Sequence, residues 1–175
     1  MVATIKFAKL RDGAIIPTKK EEDAGLDIYA CFDEDYMVIP PHTTKLIPTG
    51  ICSAFDKDYM VLLEERGSTG SKGIKRSAGV IDSGYRGEWF VALTNSTNKT
   101  LFITKLTKEE TTLNHYGFIK LDNIDNHVII YPYTKAIVQA LVIPVPKLDI
   151  EEWTVDEVKS IKSERGKGAL GSSGK

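Results

Sequence analysis

Along most of the chain, apolar residues come in short β-branched or aromatic runs broken by glycine, proline, asparagine or aspartate. "TIKFAKL" alternates from Ile5 to Phe7, and "YMVIP", "KLIPTGI", "YMVLLEE", "WFVALTN", "HVIIYPY" and "AIVQALVIPV" follow it. Such runs, with turn residues between them, predict an all-β sandwich, barrel or jelly roll. Helix is expected in two places. "TVDEVKS" opens on Thr154 with Glu157 three residues on, a capping box, and "TKEETTLNHY" has room for a turn or two. The rhythm fails between Asn95 and Pro132, where "NSTNKT", "TKEETT" and "DNIDN" mix polarities. Connections this long usually are functional or carry structure of their own. Residues 97–126 are therefore expected to be an insertion, with some strand or hairpin content, that projects from the body instead of filling its core.

Composition narrows the function classes. At 175 residues the chain is expected to form a single domain, 1–175, with a real core. The balance of 23 basic against 24 acidic residues gives no bulk charge to attract nucleic acid or a membrane, so neither is expected as a partner. A polyanionic substrate would have to meet a local basic cluster. Cys31 and Cys52 are too few for a disulfide framework. His42, His115 and His127 lie far apart, which argues against a His/Cys metal site. The N-terminal "MVATIKFAKL" is too short and charged for a signal peptide, and no apolar run reaches spanning length, so a cytoplasmic location is expected.

Four stretches carry candidate chemistry. The terminal "SERGKGALGSSGK", residues 163–175, offers backbone N–H groups of glycines without Cβ atoms in the way, the hydroxyls of Ser172 and Ser173, and the fork of Arg165. It is not a P-loop, since the pattern G-x-x-x-x-G-K-S/T needs glycine where Ala169 stands. From the tail alone, a solvated terminus and a phosphate-covering arm stand equal. "ERGSTGSKG" puts Arg66, Ser68, Ser71 and Lys72 on a tight loop after a strand, which suits an anion as well as a plain turn. "AGVIDSGYRGEW" brings Asp82 to the end of an apolar strand, as a base toward water or a turn cap, with Tyr85 to pack on a ligand or fill a core. "DAGLDIYA" carries Asp27 into a strand, where a carboxylate would suit a hydrated Mg2+ on substrate phosphates.

Taken in order, these stretches resemble the five motifs of the trimeric dUTPase family: "AGLDIYA", "RGSTGSKG", "GVIDSGYRGEW", "AIVQALVIPV" and "ERGKGALGSSG". The resemblance implies a distorted jelly-roll, β-clip-type subunit with a flexible C-terminal arm at 163–175, in a homotrimer with shared active sites. It implies Mg2+-dependent hydrolysis of dUTP to dUMP and pyrophosphate, which keeps uracil out of DNA and supplies dUMP for thymidylate synthesis. It assigns Asp82 to the attacking water and Tyr85 to the deoxyribose face. Asp27 joins the water network around the metal. Arg66, Gly67, Ser68, Gly79 and Gln139 fall on the substrate and its phosphates. In the arm, Arg165, Gly171, Ser172 and Ser173 cap the γ-phosphate and Leu170 covers the base.

The chain departs from the family pattern at several points. Arg66-Gly67-Ser68 replaces the usual Arg-Ser-Gly, Ala136 stands where an arginine usually precedes the glutamine by three, and Leu170 replaces a phenylalanine. The 97–126 insertion is similar in layout to that of some phage dUTPases, and it brings in a phage or prophage source and a regulatory protein as candidate partner. Two competing readings are a dUTPase-like scaffold acting as a protein-binding regulator and, ranked lower, a dCTP deaminase. For the deaminase, the segment from Gly87 to Asn95 places Ala92 where a catalytic glutamate would stand.

Overall fold

Strand follows strand wherever branched and aromatic residues alternate into a common interior. A computed structural model describes residues 3–116, 126–164 and 166, in two compact units, Met1–Val145 and Pro146–Lys175. In the first unit, β1 (Ile5–Lys9) pairs antiparallel with β5 (Ile51–Phe55). β12 (Val138–Pro144) runs antiparallel between β2 (Leu26–Ile28) and β6 (Tyr59–Glu64), and β8 (Val80–Ile81) pairs antiparallel with the other edge of β6. β9 (Phe90–Asn95) lies between β4 (Thr43–Pro48) and β7 (Ile74–Ala78). β10 (Thr100–Thr104) lies between β3 (Tyr36–Ile39) and, in parallel, β11 (Val128–Pro132). Small, mostly antiparallel sheets around one core are the all-β architecture that the apolar runs predict.

The core collects the inward residues of these strands, among them Ile28, Ile39, Val61, Leu63, Leu93, Ile103 and Val138, with Trp89 at its centre meeting Phe7 edge-on at 5.4 Å. Burial of each such side chain contributes about 1.5–3 kcal/mol. Asn95 is polar yet fully buried, and every hydrogen-bonding position on it is filled. Its Nδ2 donates to the carbonyls of Ile39 (3.0 Å) and Lys99 (2.7 Å), and its Oδ1 accepts from the Thr97 amide (3.1 Å) and hydroxyl (2.7 Å). That ties the β9–β10 turn to β3.

The span expected to project does not stay outside the core. Leu101, Phe102 and Ile103 of β10 are fully buried in the middle of a sheet. Five strand-forming residues between polar flanks gave too short an apolar run to stand out. After β10 comes α2 (Lys108–Tyr116), a nine-residue helix where a turn or two is expected. Thr107 starts it, accepting from the Glu110 amide (3.3 Å) while its own amide donates to the Glu110 carboxylate (2.9 Å). Thr111 is buried against the hydroxyl of Thr104 (2.8 Å), and the rings of His115 and Tyr116 stand edge-on to Phe102 at 5.0 and 6.0 Å.

In the second unit, α3 (Val155–Ser160) starts with the expected capping box. Thr154 Oγ1 accepts from the Glu157 amide, and Glu157 Oε2 accepts from the Thr154 amide (2.7 Å). No helix among the described residues is long and apolar enough to cross a membrane.

Replacing residues 97–126 by a short glycine–serine link should abolish folding, because it removes the central strand β10. Phe102→Ala should cost about 3–5 kcal/mol. Thermal unfolding checks both, and an unshifted melting temperature in either variant contradicts the placement of β10.

Candidate active site

One cleft is built on β12. In register, Gln139 stands opposite Asp27 of β2 on one side and Glu64 of β6 on the other. Its Nε2 donates to the Glu65 carbonyl (2.8 Å), which leaves Oε1 lying over Gly25. A Cβ on Gly25 would come within 2.9 Å of that oxygen and 3.0 Å of the Gln139 Cβ, so a larger residue there would push the Gln139 side chain from this position. Just after β6, Arg66 grips Asp27 with both ends of its fork, Nε to Oδ1 at 2.9 Å and Nη2 to Oδ2 at 3.3 Å, and Nη1 donates to the Ala136 carbonyl (3.3 Å). The single turn α1 (Gly67–Gly70) follows. Buried Thr69 accepts from the Arg66 amide (3.2 Å), which leaves Gly67 and Ser68 exposed at the mouth. The cleft encloses about 370 Å³ and is lined by Asp23, Gly25, Asp27, Arg66, Ser68 and Gln139, among others.

On the other side of the Arg66–Asp27 pair lies a cleft of about 430 Å³, to which Lys72 and Lys135 add two cations. Its wall includes Tyr131, whose hydroxyl donates to the Ala136 carbonyl (2.5 Å). Burial pushes the Tyr131 phenol above its ordinary pKa, against the opposing pull of the Arg66 guanidinium. Beneath, burial works against the charged form of the Glu65 carboxyl. The hydrogen bond from the Arg76 amide (3.0 Å) and the Arg76 charge more than offset that and hold it below the usual range.

Among the described residues no cluster of three His, Cys, Asp or Glu side chains stands ready to cage a metal. The donors lining the cleft are the Asp27 carboxylate, already engaged by Arg66, the Asp23 carboxylate, which accepts from the Lys20 amide (3.1 Å), the Ser68 hydroxyl and the Gln139 amide oxygen. Such a set suits a hydrated Mg2+ whose inner oxygens come from water and phosphate, with Asp27 as an outer partner.

A third cleft, of about 230 Å³, lies at the end of β8 and is lined by Val80, Ile81, Asp82, Tyr85, Glu88 and Phe90. Asp82 is exposed, and among the described residues no protein group holds its carboxylate. The chain turns at once, with the Tyr85 amide donating to the Asp82 carbonyl (3.0 Å). The Tyr85 ring folds over Gly87, where a Cβ would sit 2.5 Å from the phenol oxygen, and its hydroxyl donates to the Glu88 carbonyl (2.9 Å). Gly79 lines neither this cleft nor the first. It is buried against β6, accepting from the Leu63 amide (2.7 Å), and a Cβ there would strike the Leu63 carbonyl at 2.6 Å.

The structure therefore gathers Asp27, Arg66, Gly67, Ser68 and Gln139 at one cleft and Asp82 with Tyr85 at another, and the two share no lining residue. Arg165, Leu170, Gly171, Ser172 and Ser173 lie outside the described residues. Sequence reasoning missed Gly25, Glu65, Gly87, Glu88 and Lys135. The glycines carried a signal in their place within motifs, whereas the two glutamates act through partners distant in sequence and Lys135 lies outside the segments that carried candidate chemistry.

A dUTPase family model matches residues 11–108. The deoxyuridine 5′-triphosphate nucleotidohydrolase of Clostridioides difficile is 34% identical over 174 residues, covering 97% of each chain. Among solved structures, a mutant of the Staphylococcus bacteriophage 80alpha dUTPase with dUpNHpp superposes with a TM-score of 0.69 at 25% identity, covering 98% of this chain and 99% of that one. A mutant dUTPase from phage phi11 of S. aureus, described with a structural Mg(II) ion, shares the fold at a TM-score of 0.63 and 22% identity, over 86% of this chain and 96% of its own. By the reach of the family model and the full-length similarity to the clostridial enzyme, the chain belongs to the dUTPase family.

Proposed function

We propose that this chain hydrolyses dUTP to dUMP and pyrophosphate with Mg2+ and acts as a homotrimer. The observation that carries the reading is the contrast between its two carboxylates. Asp27 has both oxygens on Arg66, whereas Asp82 has no protein partner among the described residues and shares a cleft with an aromatic ring fixed at its hydroxyl. A carboxylate free of protein partners at a cleft wall is the one able to accept a proton from water.

In this reading Asp82 orients the attacking water and takes its proton as the new P–O bond forms, and the bond between the α- and β-phosphates breaks. Tyr85 lies against the deoxyribose, where a 2′-hydroxyl would collide with the ring. Arg66, Ser68 and Gln139 bind the phosphates, with Lys72 and Lys135 adding positive charge beside them. When bound, Mg2+ supplies charge neutralisation to the triphosphate, with Asp27 as its partner through water. Arg165, Gly171, Ser172 and Ser173 are assigned to the γ-phosphate, and Leu170 to the base, on the sequence motif alone. In the proposed trimer one site is completed by two neighbouring subunits, a reading supported by the placement of Asp82 and Asp27 at separate clefts of one chain. Of the insertion expected at 97–126, the added segment is taken as the part after β10.

Asp82→Asn should keep the fold and lower kcat by at least ~10²-fold, as for a lost general base. Near wild-type turnover would reject the assignment. UTP should be a very poor substrate, and Tyr85→Ala should narrow the gap between dUTP and UTP in kcat/KM. Equal hydrolysis of both nucleotides by the wild type sinks the stacking role. Mixing inactive Asp82→Asn and Arg66→Ala subunits, after mild unfolding and refolding together, should restore part of the activity. No recovery in mixed oligomers, assayed for pyrophosphate release, would place both clefts' residues on one subunit.

A further inference from the structure

The Tyr85 ring has little to hold it. It is 43% exposed and rests on a glycine. Its hydroxyl is fixed by one bond, to the carbonyl of Glu88, so the ring can be no better placed than that carbonyl. The surroundings of Glu88 are unusually constrained. Its carboxylate, only 13% exposed, bridges two separate parts of the chain. Oε2 pairs with Arg11 Nη2 at 2.9 Å, and Oε1 accepts from the Gly50 amide at 2.8 Å. Gly50 is itself immovable in this role. Its φ is +67°, and a Cβ would lie 2.9 Å from both Ala14 and Cys31, so the amide is aimed by backbone that only glycine adopts. The next residue repeats the anchoring. The Trp89 amide donates to the Ile51 carbonyl (2.9 Å), its carbonyl accepts from the Thr49 hydroxyl (2.6 Å), and its indole is fully buried.

We propose that Glu88 is a positioning residue for sugar discrimination. Through Gly50 and Arg11 it fixes the carbonyl on which the Tyr85 hydroxyl hangs, and so sets how closely the ring approaches C2′. This rests on the hydrolase reading above, in which Tyr85 faces the deoxyribose. Rejecting a single hydroxyl by collision demands placement to well under an ångström, and a misplacement near 1 Å is enough to cost about 10²-fold in a positioned reaction. An exposed ring on a glycine has no packing to supply that precision, whereas a mostly buried carboxylate with a charge-assisted and a backbone partner does. Glu88 touches no reacting atom in this scheme and acts through Tyr85.

The test compares kcat/KM for dUTP and UTP, with amide hydrogen exchange over residues 83–88 as a readout independent of turnover. Glu88→Ala should reduce the dUTP/UTP ratio by roughly tenfold, the scale of losing a charge-assisted hydrogen bond. The change should come from a raised KM for dUTP and improved use of UTP, with kcat for dUTP within a few fold of wild type and faster exchange across the turn. Glu88→Gln keeps an acceptor for the Gly50 amide and should recover most of the ratio. Arg11→Ala should give a smaller shift in the same direction. A folded Glu88→Ala with the wild-type ratio and exchange overturns the proposal. If that variant does not fold, unchanged ratios and exchange in both Glu88→Gln and Arg11→Ala overturn it. A wild type inert toward dUTP would instead reject the hydrolase reading, and the exchange data alone would then decide whether Glu88 holds the turn.

Discussion

The cleft on β12 depends on one register: the pairing that sets Gln139 opposite Asp27 on one side and Glu64 on the other. That register is held by its neighbours on the strand. Val138 and Ala140 are buried, so Gln139 between them must face the opposite way. A slip by one residue would turn Gln139 into the core and bring Val138 and Ala140 to the surface, which apolar burial strongly opposes. With Gln139 fixed, its amide fixes the Glu65 carbonyl, and the chain beyond Glu65 delivers Arg66 to Asp27. The polar cleft is thus a by-product of hydrophobic alternation in β12.

Charge is divided unequally across the site. The Arg66 fork is aimed by Asp27 and by the Ala136 carbonyl, an acceptor that it shares with the Tyr131 hydroxyl. Ala136, where family members usually carry arginine, is buried and contributes only backbone here. Under the proposed function, an incoming polyphosphate would compete with Asp27 for Arg66, and Lys72 and Lys135 of the neighbouring cleft would be the cations open to it. In the other cleft the reverse holds, since Asp82 makes no ion pair among the described residues and its neighbours Val80, Ile81 and Phe90 are apolar. Opposite electrostatic settings give two similar side chains different capacities.

Much of this was legible in the sequence, for identifiable reasons. β1, β3, β6, β9, β11 and β12 are rich in branched and aromatic residues and read as strands. Thr154 and Glu157 announced α3 through local spacing alone. Asp27, Arg66, Ser68 and Gln139 could be named from their motifs, although no spacing says that Asp82 lies in a different cleft from them. β7 was hidden because "IKRSA" offers one fully buried residue, Ile74, and β10 because its apolar run is short. α2 was underestimated although Thr107 and Glu110 carry the same capping signature as Thr154 and Glu157. Glu88 was out of reach. Its partners Arg11 and Gly50 lie 77 and 38 residues away, and nothing local marks a glutamate as an anchor.

The parallel pairing of β10 with β11 has a consequence for how this gene can change. Antiparallel neighbours can be joined by a two-residue turn, but parallel ones need a return path of a dozen residues or more. Residues 105–127 provide that path, so the segment has a floor on its length set by topology and almost no ceiling. Lengthening a closed loop costs little, about 0.6 kcal/mol for each doubling. Drift, duplication or acquisition of foreign sequence is therefore tolerated here with the paired strands left in register, whereas trimming soon pulls them apart. The crossover is the natural place for lineages of this fold to diverge, and for an engineer to graft a new binding loop.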